Sequence, residues 1–153
     1  MSIVSVKLEG IDEVTDLIAK FAQLTGDTTA LLDDMALIAI NRVRARFLNA
    51  KDAFNVKWPV SQGAIDRASP LGQTVGGKTY LDGLTLFRSG KLFHSIQVRK
   101  PSPESRSIYT NMHYASYHND GTNKTPKRTF LEWSEEDVSA FLQLVQTRLN
   151  GVA

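Results

Sequence analysis

The chain contains no cysteine among its 153 residues. Disulfides, thiolate metal sites and cysteine nucleophiles are therefore excluded, and the protein can fold in a reducing cytoplasm. No apolar run is long enough to span a bilayer, and "MSIVSVKLEG" lacks the basic region and long apolar core of a signal peptide. We therefore expect a protein with no membrane association that is not exported by a signal peptide.

A dominant charge of one sign is also missing, because 18 basic residues are balanced by 16 acidic ones. The resulting net charge of +2 does not indicate a dedicated nucleic-acid binder, so any basic patch must come from local clustering. The composition, 42% hydrophobic and 22% charged, is that of an ordinary globular protein. The length predicts a single domain over residues 1–153.

Hydrophobic periodicity predicts an α+β fold. Alternation from Val4 to Leu8 predicts a short strand, and helical spacing predicts one helix over 11–26 and a longer one over 27–50, capped by Asp27 or Thr28. Two further alternating runs, 95–99 and 105–114, predict an antiparallel hairpin, with Pro101 and Pro103 ending its first strand. We expect a small, mainly antiparallel sheet packed against two N-terminal helices and a C-terminal helix.

The C-terminal helix has the clearest boundaries. Ser134 and Asp137 have the spacing of a capping box, Trp133 precedes them as a hydrophobic staple, and Gly151 sits where a helix ends. The end of the long central helix carries Arg42, Arg44 and Arg46, which favour a helix C-terminus. For these arginines the sequence favours a solvated charged end over a binding role.

Residues 54–83 show no periodicity and are rich in Gly and small polar residues. A stretch of this length inside a compact domain is unusual, and we predict an extended arm that becomes ordered on a neighbouring subunit. Trp58, just before a proline, is expected to anchor the start of this arm onto the core.

The segment "HYASYHNDGTNKTPKRTFLEW", residues 113–133, leaves three interpretations open. As an enzyme site it offers His113, His118 and Asp120, but the histidines are five residues apart with no acidic residue between them, unlike zinc-binding helices. Ser89, Ser95 and "VGGK" also lack the spacing of nucleophile elbows or phosphate loops. We therefore expect no catalytic residue, metal or cofactor.

The second interpretation is nucleic-acid contact. Lys124, Lys127 and Arg128 lie in a segment from Gly121 to Leu131 without any acidic residue, with tyrosines and Phe130 as neighbours. Such a cluster can meet phosphates without sequence preference, or line a passage for DNA. The third interpretation is protein interaction, because tyrosine and histidine suit interfaces and Pro126 rigidly frames the loop before the last helix.

Several of these motifs, in this order, resemble the phage virion morphogenesis family, which comprises Mu-like tail-completion proteins. They are "KWP", "RSGKLFHSI", "YASYHNDG" and "PKRTFL", and the agreement runs over about residues 54 to 149. The matching positions are Trp58; Ser89, Gly90, Leu92, Ser95 and Ile96; Tyr114, Ala115, His118 and Gly121; and Pro126, Arg128, Phe130 and Leu131. Asn119 and Thr122 depart from the family pattern, and residues 62–77 do not align with it.

The resemblance implies a structural virion protein in tail completion and head–tail joining, present in the virion tail or neck after assembly in the host cytoplasm. Its expected partners are copies of itself in a ring, commonly a hexamer, and the neighbouring neck, connector, tail-tube or tail-terminator proteins. Expected assembly contacts are Trp58, Tyr114, Tyr117, His118, Pro126, Arg128 and Phe130. Lys78, Lys124 and Lys127 are candidates to face DNA in the channel. The alternative is a small nucleic-acid-binding protein that uses the basic loop at 124–128.

Overall fold

The computed structural model describes residues 4–7, 12–62, 65, 73–75, 78–80, 85–86 and 89–152. It confirms the α+β class, with antiparallel strands packed against two N-terminal helices and a C-terminal helix. The strands are β1 (Val4–Lys7), β2 (Gln73–Val75), β3 (Lys78–Tyr80), β4 (Gln97–Ser102) and β5 (Ser105–Thr110). The helices are α1 (Asp12–Thr25), α2 (Thr29–Asn49), α3 (Lys91–Ser95), α4 (Ala115–Asn119) and α5 (Glu135–Val152). None of the helices within these ranges is long and apolar enough to cross a membrane.

The main sheet has three antiparallel strands in the order β1-β5-β4. Ile108 in the central strand lies opposite Val6 on one side and Val98 on the other, and its side chain is buried in the core. The hairpin of β4 and β5 confirms the predicted pairing. Strand β4 nevertheless continues through Pro101, where we expected it to end, because β4 is an edge strand and an edge tolerates a missing N–H.

Two more strands lie in the region predicted as an extended arm. Strands β2 and β3 pair antiparallel as a separate two-stranded sheet, with Val75 opposite Lys78. The two residues between them are Gly76 and Gly77, a dipeptide typical of short hairpin connections. Much of the rest of the predicted arm lies outside the described residues.

Helix α2 is the longest helix, as predicted, and supplies the centre of the core. Its buried apolar residues recur at intervals of three and four and pack against α5 and the sheet, while α1 packs against α5. They are Leu31, Leu32, Met35, Ala36, Ala39, Ile40, Val43 and Phe47. Burying each of the larger ones stabilises the fold by about 1.5–3 kcal/mol.

Both long helices begin at polar caps close to the predicted ones. At α2 the Asp27 carboxylate accepts a 2.8 Å hydrogen bond from the Thr29 N–H, which lowers the pKa of Asp27, while Thr28 makes no side-chain cap bond. At α5 the Ser134 N–H donates to the Asp137 carboxylate at 2.8 Å, which confirms the capping box. Helix α5 includes Gly151 and ends at Val152, one residue beyond the predicted stop.

The arginines near the end of α2 do not form the solvated end that we expected. Arg46 is only 6% exposed, and its guanidinium donates at 2.7 Å to the Asp137 carboxylate and to the carbonyl oxygens of Phe130 and Glu132. Arg42 donates to the other oxygen of Asp137. One buried carboxylate at the start of α5 therefore holds two arginines of α2, and Arg46 also fixes the chain that leads into α5.

We expect the substitution Asp137→Ala to lower the free energy of unfolding by about 3–5 kcal/mol, because it leaves the buried Arg46 charge uncompensated. Asp34→Ala is the matched control, since Asp34 pairs with Arg148 at a partly exposed site and should cost less than about 1 kcal/mol. Urea unfolding measures both. Equal losses for the two variants would contradict the central role of Asp137.

Candidate assembly interface

Residues 50–58 form a tight loop at the end of α2, which we call the display loop. Ala50 ends the helix in the left-handed conformation, with φ 50°. Lys51 then bridges antiparallel to Lys57, and the Trp58 N–H donates to the Ala50 carbonyl at 2.8 Å. The chain therefore leaves the helix, turns back and returns to the core within nine residues.

A single carboxylate fixes the tip of the display loop. Oδ1 of Asp52 accepts hydrogen bonds of 2.9 Å from the N–H groups of both Phe54 and Val56. Asn55, between them, adopts a left-handed conformation with φ 64°, which asparagine tolerates better than most residues. Phe54 and Val56 are each 60% exposed, so a rigid backbone presents two large apolar side chains to the surroundings.

Trp58 anchors the display loop onto the core, as predicted. Its ring is 4% exposed and packs edge-on against Phe47 of α2, with ring centroids 5.6 Å apart. Its Nε1–H donates to the Thr129 carbonyl at 3.2 Å. Phe130, fully buried, packs against the same Phe47 ring at 5.1 Å. The display loop and the segment 113–133 therefore share one aromatic support.

Arg128 joins the start of the arm to the segment 113–133. Its Nε donates to the Pro59 carbonyl at 2.7 Å, and its backbone N–H donates to the His118 carbonyl at 2.7 Å. The side chain is 5% exposed, and burial lowers the pKa of its guanidinium. The sequence predicted that Arg128 belongs to a phosphate-binding cluster. The structure corrects this prediction, because the buried side chain holds the start of the arm to the body.

Asn119 shapes the turn before the basic loop, although in the sequence it stands out only as a departure from the family pattern. The buried side-chain oxygen accepts backbone hydrogen bonds from Phe130 at 3.1 Å and Leu131 at 3.0 Å, and its carbonyl accepts the Thr129 hydroxyl at 2.9 Å. These bonds fasten the end of α4 to the residues before α5. The signal that could have identified it is an Asn in the "HNDG" turn, since Asn often replaces a backbone partner there.

The loop from Asp120 to Lys127 folds back on itself at Gly121. Gly121 has φ +76°, and a Cβ added there would lie 3.0 Å from the backbone nitrogen of Lys127. The Thr122 N–H donates to the Thr125 carbonyl at 2.8 Å, which closes the loop. Lys124, Pro126 and Lys127 are exposed on its outside.

His118 faces the inside of this segment. Its ring lies edge-on to Tyr114 at 6.1 Å, and among the described residues its buried Nδ1 has no hydrogen-bond partner. Burial, and secondarily the Arg128 charge, lower the pKa of His118. The imidazole is therefore held neutral at neutral pH.

The predicted site residues separate by burial. Trp58, Arg128 and Phe130 are buried within the chain, Tyr114 and His118 are partly buried, and Tyr117, Pro126, Lys124 and Lys127 are exposed. Lys78 lies in β3, where the structure describes the backbone. The role of the interface residues as assembly contacts stays a prediction. Phe54 and Val56 were not among the predicted site residues, although an apolar pair within a polar, Gly-rich stretch could have drawn attention to them.

No group of three His, Cys, Asp or Glu residues within the described ranges has the geometry to hold a metal ion. Ser95 donates to the Leu92 carbonyl at 2.7 Å and shares a hydrogen bond with Thr110, which fits a structural role. A cavity of about 210 Å³ beside the display loop is lined by basic and acidic residues, including Arg42, Asp52 and Glu136.

We expect Gly121→Ala to destabilise the fold more than Gly26→Ala. Both glycines have positive φ, so both variants should lose about 1–2 kcal/mol from the strained conformation. Only at Gly121 does the added Cβ also meet backbone, whereas nothing lies within 4 Å at Gly26. Thermal unfolding of the two variants measures the difference, and equal melting temperatures would show that the loop accommodates the methyl group.

We expect the stability of the protein to fall on mild acidification through His118. Its folded-state pKa lies below the unfolded value of about 6.5, so its contribution is present above that pH and is lost as the pH falls towards the folded-state pKa. His118→Gln should therefore reduce the change in urea midpoint between about pH 7 and about pH 5. His113→Gln, at an exposed position, is the control. The same pH dependence in both variants would refute the assignment.

A buried frame of Trp58, Arg128, Asn119 and Phe130 thus holds an exposed apolar loop and an exposed basic loop. The chain matches no protein family model, no curated protein and no solved structure.

Proposed function

We propose that this chain is a structural virion protein of a tailed phage that acts in tail completion and head–tail joining, as one subunit of a ring at the head-proximal end of the tail or in the neck. The proposal rests on the order and spacing of the motifs between residues 54 and 149, and on the kind of surface that those residues present. Both point to assembly rather than catalysis.

The exposed apolar side chains are the observation that carries the proposal. Eight large hydrophobic residues are exposed in the described part of the chain, and four of them, Phe54, Val56, Val60 and Ile65, lie within twelve residues. Isolated exposed apolar residues are ordinary, whereas a contiguous exposed apolar patch marks an interaction surface, and we infer that these four residues belong to one such patch. Asp52 and Trp58 hold the display loop in place, so little conformational entropy remains to be lost when a partner covers it.

The basic loop has a secondary role in this proposal. Lys124 and Lys127 are exposed, and Arg128 is withdrawn into the Pro59 contact, so two lysines remain available to a polyanion. In a ring around a DNA channel, two lysines per subunit make a weak and salt-sensitive lining. Such a lining lets DNA pass without tight binding.

The nucleic-acid-binding alternative uses the same two lysines without a ring. It predicts that the purified protein retards DNA in a gel at moderate salt, and that Lys124→Ala with Lys127→Ala abolishes this effect. The reduced charge of the surface favours the structural proposal, because the energy of nonspecific DNA binding comes mainly from the number of phosphates neutralised.

The proposal is tested by electron microscopy of lysates from a phage with a nonsense mutation in this gene. We expect filled heads beside unattached or abnormal tails, and joined particles after complementation with the parent gene. The double variant Phe54→Ser, Val56→Ser should fold normally, since exposed substitutions change stability by about 0.5 kcal/mol or less, yet fail to complement.

Leu37→Ser is the matched control, because Leu37 is 59% exposed on α2 outside the display loop. It should complement as well as the parent gene. Normal infectious particles from the nonsense mutant would refute the proposed function. Full complementation by the Phe54, Val56 double variant would remove the display loop from the assembly surface.

A further inference from the structure

Strands β2 and β3 form a hairpin with no third strand beside it among the described residues. Gln73 pairs with Tyr80, Thr74 with Thr79 and Val75 with Lys78. Within the described ranges, no other helix or strand packs extensively against these two strands. An isolated two-stranded hairpin is at best marginally stable in water, whereas three or more strands can be stable. The hairpin is therefore suited to join a sheet.

The two edges of the main sheet differ in their readiness to accept a strand. The β4 edge carries Arg99, Lys100 and Pro101, and its register with β5 shifts between Arg99 and Ser102. Charged residues, proline and bulges are the features that block strand addition at an edge. A strand that reaches the β4 edge therefore meets an irregular ladder with a missing donor.

The β1 edge has fewer of these features, since its one charged residue, Lys7, lies at the end of the strand. The strand reads "VSVK", contains no proline, and keeps a continuous register with β5 from Val4 to Lys7. Helix α4 lies near β1, but for the residues that the structure describes no backbone hydrogen bond reaches the side of β1 that faces away from β5. This edge therefore offers regular N–H and C=O groups to a further strand.

We propose that the β2–β3 hairpin of one copy of this chain adds to the β1 edge of a neighbouring copy. The joined sheet then has five strands, β4-β5-β1 from one subunit and the hairpin from the next. Backbone hydrogen bonds supply the attraction, as in other cases of strand addition between chains. The hairpin gains the third strand that it lacks, and the β1 edge gains the partner that it lacks.

The partner is a second copy because the contact joins two different surfaces of the same chain. A contact between unlike surfaces repeats from subunit to subunit and closes into a ring when the rotation allows it, whereas pairing of β1 with β1 stops at a twofold dimer. The inference rests on the proposed function to this extent, since the ring is the assembly that the strand addition would build.

The hairpin itself shows where to test the contact. Because two residues connect the strands, Val75 and Lys78 form the hydrogen-bonded pair at the turn. The next pair, Thr74 and Thr79, then directs its N–H groups away from the hairpin, one on each side. Thr74→Pro and Thr79→Pro therefore each remove an outward donor and leave the bonds within the hairpin in place.

The first experiment is sedimentation of the purified chain and these variants over a range of concentrations. We expect one of the two proline variants to weaken self-association by at least about tenfold, because the docked side of the hairpin loses a bond and meets the proline ring. Thr74→Val and Thr79→Val keep the N–H groups and should associate like the parent chain. Unchanged association in both proline variants would overturn the proposal.

The second experiment detects the contact even where association is weak, and it uses the absence of native cysteine. Ser5→Cys protein is mixed with Thr74→Cys or Thr79→Cys protein under mild oxidation. We expect a disulfide between chains with one of the hairpin cysteines, and little with Ser102→Cys on the β4 edge as the control. Equal coupling to Ser102→Cys, dominant Ser5→Cys homodimers, or no coupling would each overturn the proposal.

The two proposals fail in different ways. If the gene proves dispensable for joined particles while Ser5→Cys still couples to the hairpin, then the phage function is wrong and the strand addition stands. If the gene is required but rings persist in both proline variants, then the strand addition is wrong and the phage function stands.

Discussion

The fold depends on the buried carboxylate of Asp137. It accepts hydrogen bonds from Arg42, Arg46 and the Ser134 N–H, so one group both caps α5 and ties it to α2. Arg46 in turn donates to the carbonyl oxygens of Phe130 and Glu132, which run into α5. Ions of this kind are costly to desolvate, and such a cluster is tolerated only when every partner is present. The path of the chain before α5 is therefore fixed as firmly as the helices.

The contacts of Asp137 and Arg46 also determine the shape of the segment 113–133. With Phe130 and Leu131 held, their N–H groups face the Asn119 side chain, and Asn119 thereby positions the end of α4. Arg128, between these points, reaches Pro59 and holds the start of the arm. The segment therefore acts as a frame, while the exposed residues lie on the two loops that it supports. Burial thus separates the residues that support the two loops from the residues that are exposed on them.

The sequence predicted most of the fold and less of the site, for physical reasons. Helices and strands of the body followed from periodicity, and the Ser134 cap from local spacing, because both depend on neighbours in sequence. The buried role of Arg46 could not be predicted in this way, since its partners at 130, 132 and 137 are more than eighty residues away. An arginine near a helix end is ordinarily exposed to water. Asn119 acts through backbone groups eleven and twelve residues on. The β2–β3 hairpin was missed because strands of three residues are too short for alternation to show, although the glycine pair between them was visible.

The display loop and the β2–β3 hairpin differ in how firmly each is held within one subunit. This difference suggests an order for the steps of assembly. Asp52 and Trp58 fix the display loop within one subunit, so covering it with a partner would cost little entropy and could begin an encounter between subunits. The hairpin, by contrast, gains most of its stability only when a sheet edge extends it. Contact through Phe54 and Val56 would bring the β1 edge of one copy close to the hairpin of the next. Strand addition within that complex would then be favoured by the high effective concentration of the hairpin. Strand pairing between free subunits would then be rare, because the hairpin would add to a sheet edge only after the display loop had made its contact.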